Sequence, residues 1–239
     1  MLTSHNIIVL SKIKYSDRDL IIKAYSKEKG IVSYILKGVF SSKKSNSKAS
    51  YFQPLSQLLV QLNYKSSNQL QVLRDVQWNF IYGSLQSNLY KTSIAMFLSE
   101  LLSSILKEEE PNLPLYEYLT TSFQWLDYED AFANFHLLFL LKLSKYLGCY
   151  PDTSNIDGPF FNLSKGVFSN SESDVYSLSG KNLTILKELL GTNFEALNKV
   201  QLNAKQRQSF LNMLLLYFEL HLGDFKKPKS LEVFKQVFS

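Results

Sequence analysis

The residues that could carry acid–base or metal chemistry are few and scattered in this chain. Its three histidines, His5, His136 and His221, share no metal-ligand spacing, and the single cysteine, Cys149, has no histidine near it in sequence. The one carboxylate cluster, the three glutamates at 108–110, ends an apolar periodic segment, and successive side chains there point in different directions. Glycine-rich phosphate loops and nucleophile-elbow motifs are missing from the sequence. The sequence therefore favours a protein that binds over an enzyme, and it predicts neither a cofactor nor a metal site.

Positive charge is concentrated in the first third of the chain. Residues 1–82 contain 12 Lys and Arg against 4 Asp and Glu, a net charge of +8. The remaining residues, 83–239, contain 14 against 17 and carry a net charge of −3, which leaves the chain at +5. This asymmetry predicts that the first third meets a polyanion such as nucleic acid. The alternative is that these lysines only keep a small β domain soluble.

A surface for single-stranded nucleic acid needs cations that follow the phosphates and aromatic rings on which bases stack. The serine- and lysine-rich segment 38–50 predicts a loop that suits phosphate contact without sequence readout. For two of the candidate rings, Phe40 and Tyr51, packing in a domain core is an equal alternative, and alternation favours the core for Tyr64. The candidate DNA-binding residues are Lys37, Lys43, Lys44, Lys48, Lys65, Arg74, Phe40 and Tyr51.

The elements that must position these residues are short strands. β-branched runs, a turn at Lys29-Gly30 and two stretches of alternating polarity predict five of them, at 6–13, 20–25, 31–37, 57–64 and 69–76. In the last strand the alternation places Leu70, Val72, Arg74 and Val76 on one face. Five short strands without a long helix among them predict a small closed barrel such as the OB-fold.

From residue 87 the apolar period changes to that of helices. Ser87 or Asn88 is the predicted N-cap of the first helix, which ends before Pro111, and further helices are predicted at 115–126, 130–147, 181–190, 193–200 and 204–222. The irregular stretch 149–179 contains a predicted hairpin around Ser164-Lys165, and no apolar run reaches the length of a membrane span. The fold class is thus α+β: a five-stranded OB-fold β-barrel at 1–82, then an all-α domain at 83–239 with this small irregular insertion.

Ten short motifs follow one another along nearly the whole chain. They are IIVL (7–10), YSDRDLII (15–22), KG (37–38), FQPL (52–55), SELL (99–102), EEEPN (108–112), FHLLFLLKL (135–143), LGCYP (147–151), YFELHLG (217–223) and KSL (229–231). None is a catalytic signature, but in their order and spacing they resemble the RecO family of bacterial recombination mediator and DNA-repair proteins. This resemblance implies an N-terminal OB-fold and a helical C-terminal domain.

The resemblance also implies partners. Members of the family bind single- and double-stranded DNA, anneal strands coated with single-strand binding protein, and help to load RecA together with RecR, which places the chain at the bacterial nucleoid in the cytoplasm. The C-terminal tail of single-strand binding protein is acidic and ends in an aromatic residue, so its receptor needs an apolar hole with a cation at the rim. Lys142 and Lys145, on the apolar helix, are the candidates, and the alternative is that both are merely solvent-exposed.

The chain departs from the family in one respect. Many members carry a four-cysteine zinc module, and the corresponding stretch here, 149–170, contains only Cys149, so the metal role does not carry over. Two other functions remain open. A metal-dependent nuclease would show divalent-metal-dependent cleavage, and a structural interaction protein would show no salt-dependent DNA affinity.

Overall fold

A computed structural model describes residues 2–40, 48–63, 70–107 and 110–238, and it shows five strands that close into a barrel. The strands are β1 (Leu2–Lys14), β2 (Leu20–Ser26), β3 (Gly30–Leu36), β4 (Gln57–Asn63) and β5 (Gln71–Phe80). Their order is β1-β2-β3-β5-β4, with β4 returning to β1; the β3–β5 pair is parallel and the other pairs are antiparallel. This five-stranded closed barrel is the predicted OB-fold.

The barrel interior is filled by every second residue of its strands. In β4 the predicted face is confirmed, since Leu58, Val60 and Leu62 are fully buried, while Tyr64 lies outside the described residues. In β5 the predicted face is wrong, because Leu73 is buried and Arg74 is exposed.

A β-bulge explains the wrong face. Leu62 pairs with Leu73, but the neighbouring Gln61 pairs with Asp75, so Arg74 is an extra residue in the ladder. The phase of inward-facing residues therefore changes after Leu73, and Val76 points inwards although Val72 does not.

The rest of the chain is mainly helical. The helices are α1 (Leu89–Ile105), α2 (Leu113–Tyr128), α3 (Phe135–Tyr146), α4 (Gly180–Leu190), α5 (Ala204–His221) and α6 (Leu231–Val237), with a 3₁₀ helix at Phe194–Lys199. Asn88 is the N-cap of α1, as predicted, whereas α3 begins five residues later than predicted. The predicted hairpin is confirmed in a small sheet of order β7-β6-β8, formed by β6 (Phe160–Asn162), β7 (Val167–Ser169) and β8 (Ser177–Leu178). Among the described residues, no helix is both long and apolar enough to cross a membrane.

The chain forms two compact units. The barrel unit comprises Met1–Tyr128 and Pro228–Phe234, and the helical unit comprises Glu129–Lys227 and Lys235–Ser239. The predicted boundary after residue 82 follows the end of β5, but α1 and α2 belong to the barrel unit. They pack on its outer wall, where the Lys23 ammonium donates to the Ser103 carbonyl oxygen over 2.5 Å.

A buried network ties these helices to the point where the chain leaves the barrel. The Asp127 carboxylate accepts hydrogen bonds from the backbone N–H groups of Gly83, Ser84 and Leu85 at 2.9, 2.8 and 2.7 Å. The Lys91 ammonium donates to the Ser84 hydroxyl and the Asp127 carbonyl oxygen, both at 2.8 Å. Burial by itself raises the pKa of Asp127, but the hydrogen bonds it accepts outweigh burial and hold the pKa below its ordinary value.

Candidate nucleic-acid interface

The β1–β2 hairpin ends in a short turn at one end of the barrel. The turn is closed by a hydrogen bond from the Tyr15 backbone N–H to the Asp19 carbonyl oxygen, 3.0 Å long. We call residues 13–19 together with residues 37–40 the hairpin tip. Its two segments are separated in sequence by β2 and β3, so the barrel topology is what brings them together.

Two backbone N–H groups hold the segment after β3 against the turn through hydrogen bonds. The Phe40 N–H donates to the Arg18 carbonyl oxygen over 3.2 Å, and the Gly38 N–H donates to the Asp19 carboxylate over 2.9 Å. Gly38 adopts a φ of 68°, in the left-handed region that glycine tolerates without strain. The hairpin tip therefore has a defined backbone on which exposed side chains can be placed.

Cations outnumber carboxylates at the hairpin tip. Lys14, Arg18 and Lys37 are exposed, while Asp17 and Asp19 are the acidic residues. The Lys14 ammonium lies 3.8 Å from the Asp17 carboxylate and 5.9 Å from the centroid of the Phe40 ring. Because an exposed ion pair contributes at most about 1 kcal/mol, Lys14 can exchange Asp17 for a phosphate.

An apolar row crosses the outer face of the barrel beside the tip. Ile13 pairs with Ile21, Ile21 pairs with Ile35, and Ile35 pairs with Val72, so the four side chains lie on one face of β1, β2, β3 and β5. Their sequence neighbours, such as Leu20, point into the barrel core. Strands β2 and β3 with the β1–β2 loop are the surface by which OB-folds bind oligonucleotides and oligosaccharides.

The predicted DNA-binding residues fall at several places. Lys37 and Phe40 lie at the hairpin tip, and Arg74 is exposed in the bulge of β5. Lys48 is within 4.0 Å of the Asp75 carboxylate. Lys43, Lys44 and Lys65 lie outside the described residues.

The position of Tyr51 favours the alternative that its ring packs in the domain core and does not stack on bases. Its ring stacks on Trp78 with a centroid distance of 4.7 Å and an interplanar angle of 23°, and the pair packs against the barrel core. One ring face is thus already covered, whereas Phe40 is partly exposed beside Lys14.

Sequence reasoning missed Ile13, Lys14, Tyr15 and Arg18 as site residues. None of the predicted DNA-binding residues lies in 13–19, although an aromatic residue next to cations in the first loop of a predicted OB-fold is a signal for a ligand surface. Ile13 and Tyr15 are 60% and 63% exposed.

In the helical unit, the two lysines predicted to bind a partner, Lys142 and Lys145, differ in their surroundings. The Lys142 ammonium donates to the Leu190 carbonyl oxygen at the end of α4 over 3.4 Å, and it lies 6.0 Å from the centroid of the Tyr150 ring. Burial, and secondarily the charge of Lys145, lower the pKa of Lys142. Lys145 is exposed, so only Lys142 combines a cation with an adjoining aromatic surface.

The stretch that corresponds to the family's zinc module does not fit a metal here. Its cysteine, Cys149, is buried, and burial raises the pKa of the thiol to about 11, which disfavours the thiolate that zinc requires. Across 2–40, 48–63, 70–107 and 110–238, no three His, Cys, Asp or Glu side chains cluster so that they could hold a metal ion. Hydrogen bonds and aromatic packing hold this stretch. The Tyr217 hydroxyl donates a 2.8 Å hydrogen bond to the backbone carbonyl of Cys149, and the Phe161 ring packs on Phe168 and Tyr217.

One amide organises the small sheet in this stretch. The Asn162 side chain is 2% exposed and donates to the Ser173 hydroxyl over 2.7 Å and to the Asp174 carboxylate over 2.9 Å. Its oxygen accepts from the Ser164 hydroxyl at 2.8 Å and from the Lys165 N–H at 2.9 Å. All four hydrogen-bonding positions of the amide are therefore used.

Comparison with known proteins gives a consistent match over the whole chain. The family models described as Recombination protein O N terminal and Recombination protein O C terminal match residues 1–82 and 86–232. A protein of Christiangramia forsetii named DNA repair protein RecO is 45% identical over 238 residues, covering 100% of both chains. Proteins of the same name from Flavobacterium psychrophilum and Phocaeicola vulgatus are 41% and 36% identical, with 97% of each chain covered.

Proposed function

The chain belongs to the RecO family of DNA-repair proteins, and we propose that it acts in repair and recombination as a mediator that binds DNA. In this proposal it binds single- and double-stranded DNA, anneals complementary strands coated with single-strand binding protein, and helps to load RecA together with RecR. Its place of action is then the nucleoid, in the bacterial cytoplasm.

The observation that carries this proposal is the cationic hairpin tip beside an outer apolar row of the OB-fold. Lys14, Arg18 and Lys37 can each neutralise a phosphate and release its counterions. Cations on mobile side chains contact the backbone of any sequence, which suits a mediator that must act along the whole genome. Neutralising phosphates on two strands also lowers their mutual repulsion, so complementary bases can meet.

We propose that this activity involves no chemical step. The open groove beside α1 is lined by Leu10, Met96 and several serines, and its carboxylate, Glu100, is already engaged. That carboxylate accepts hydrogen bonds from the Lys229 and Ser230 N–H groups and from the Ser230 hydroxyl, at 2.8, 2.8 and 2.6 Å. DNA cleavage that depends on a divalent metal would contradict this part of the proposal.

The helical unit is the proposed receptor for the C-terminal tail of single-strand binding protein. Lys142 supplies a cation next to the Tyr150 ring, which is the pairing that an acidic tail ending in an aromatic residue requires. Lys145, exposed one helical turn further along α3, would add a second charge to the rim.

Strand annealing tests the proposal. Complementary oligonucleotides labelled with a fluorophore and a quencher are coated with single-strand binding protein, mixed, and followed with and without the full chain. The proposal predicts that the chain accelerates annealing and that added salt reduces the acceleration. An annealing rate that the chain leaves unchanged at low salt would refute it.

A further inference from the structure

We propose that Tyr15 is a base-stacking residue that makes the hairpin tip a subsite for single-stranded DNA. This inference rests on the proposed DNA-binding function and adds the form of DNA that this surface selects. The occupant it commits to is a run of unpaired nucleotides.

The ring of Tyr15 is largely exposed to solvent. Tyr15 follows the end of β1, is 63% exposed, and contributes to the hairpin through its backbone N–H. Among the residues that the structure describes, none stacks on its ring. Leaving such a ring in water has no folding benefit, whereas a base can stack on it.

Ile13 extends the exposed apolar surface next to Tyr15. Its side chain is 60% exposed and begins the row that runs through Ile21 and Ile35 to Val72. Ile21 and Val72 are partly exposed in this row, whereas Ile35 is only 6% exposed. An unpaired base that leaves Tyr15 therefore meets the Ile13 side chain instead of water.

The charge of this surface is complementary to that of DNA. Arg18 lies on the same turn as Tyr15, Lys37 follows the end of β3, and Arg74 is exposed in the bulge of β5 after Val72. Arg18 and Lys37 thus share the hairpin tip with the exposed Tyr15 and Ile13 side chains, so they can contact the phosphates of a strand whose bases meet those side chains. The helices α1 and α2 contact a different part of this wall, at Lys23 and Tyr25.

These features together select unpaired DNA. In a duplex the base faces are covered by neighbouring base pairs, so an exposed ring finds no face on which to stack. The cations of the tip serve both forms of DNA, because both carry phosphates. Stacking on Tyr15 should therefore contribute to single-strand affinity and leave duplex affinity unchanged.

The test measures affinity of the full chain for an oligo(dT) strand and for a duplex of the same length. Tyr15→Ala should weaken oligo(dT) binding by about 5- to 100-fold, the range for one lost base–aromatic contact, and change duplex binding by less than about twofold. Tyr15→Phe should retain oligo(dT) binding, while Tyr15→Leu should lose it, because the leucine is apolar but has no ring. The slope of log K against log salt should be the same in all variants, since no phosphate contact is removed.

Tyr128→Ala is the matched control, because Tyr128 is 75% exposed at the end of α2 and lies outside the tip. It should leave both affinities unchanged, and thermal unfolding should confirm that every variant is folded. Equal losses on oligo(dT) and duplex, or no loss in Tyr15→Ala, would overturn the subsite while leaving the proposed function intact. A wild-type chain without salt-dependent affinity for either form would instead overturn the proposed function itself.

Discussion

Replacing Asn162 should show what stabilises the module that carries zinc in many RecO proteins. Asn162→Ala removes four hydrogen bonds at once from the small sheet. Ser173 and Asp174 are exposed and can turn to water, so the loss comes mainly from the two hydrogen bonds inside the β6–β7 turn, at about 1 kcal/mol each. The expected loss of unfolding free energy is therefore about 2 kcal/mol.

Urea unfolding and hydrogen exchange of residues 160–178 measure this loss. Asn170→Ala is the matched control, because Asn170 is exposed at the end of β7 and should change stability by less than about 0.5 kcal/mol. A chelator should leave the unfolding of the wild type unchanged. Two results would refute the claim that hydrogen bonds of Asn162, and not a metal, stabilise this module. One is an Asn162→Ala variant as stable as the control, and the other is a wild type that the chelator destabilises.

The same substitution has a consequence for pH dependence. The hydrogen bond from Asn162 is the largest cause that holds the pKa of Asp174 below its ordinary value. A depressed carboxyl pKa contributes stability above the pKa of the unfolded chain, about 3.9, and this stability is lost as the pH falls through the folded-state value. In Asn162→Ala the pKa of Asp174 should rise towards its ordinary value, as measured by NMR titration, and the acid dependence of stability should become weaker.

Two further predictions concern the binding surfaces. Changing Lys43, Lys44 and Lys48 together to Ala should reduce the slope of log K for single-stranded DNA against log salt by about two units, at ~0.7 per phosphate contact. An unchanged slope would show that the loop does not touch phosphate. Reversing Lys142 and Lys145 to Glu should abolish binding of the tail peptide of single-strand binding protein, measured by fluorescence anisotropy, and leave naked-DNA binding intact. If the reversal weakens DNA binding and leaves peptide binding unchanged, the proposal that the two functions lie on different domains is wrong.

The sequence was sufficient to predict the strands and helices, but not the contacts between residues that are far apart in the chain. Alternation and turn residues located all five strands and the small hairpin, because these signals are local. The bulge at Arg74 made part of the predicted inward face of β5 wrong. A bulge depends on the register between β4 and β5, which a local pattern does not show. The stacking of Tyr51 on Trp78 likewise arises from closure of the barrel, and sequence alone left the role of Tyr51 open.

The candidate site was predictable only in part for the same reason. Charge asymmetry indicated the first third of the chain, which contains the hairpin tip, and the predicted residues Lys37 and Phe40 lie at that tip. Tyr15 was overlooked because its exposure depends on how the β1–β2 turn projects from the barrel. The residues that join the tip are adjacent in space but separated by two strands in sequence.

Annealing by a charge-reversed hairpin tip measures whether this surface binds the DNA. The rate is measured on DNA coated with single-strand binding protein for the wild type, for Arg18→Glu/Lys37→Glu, and for Lys205→Glu/Lys226→Glu, a reversal of equal charge at exposed positions of the helical unit. We expect the tip reversal to slow annealing by at least about tenfold, while the control stays within about twofold of the wild type. Equal rates for the two reversals, whether fast or slow, would contradict the assignment of DNA binding to the hairpin tip.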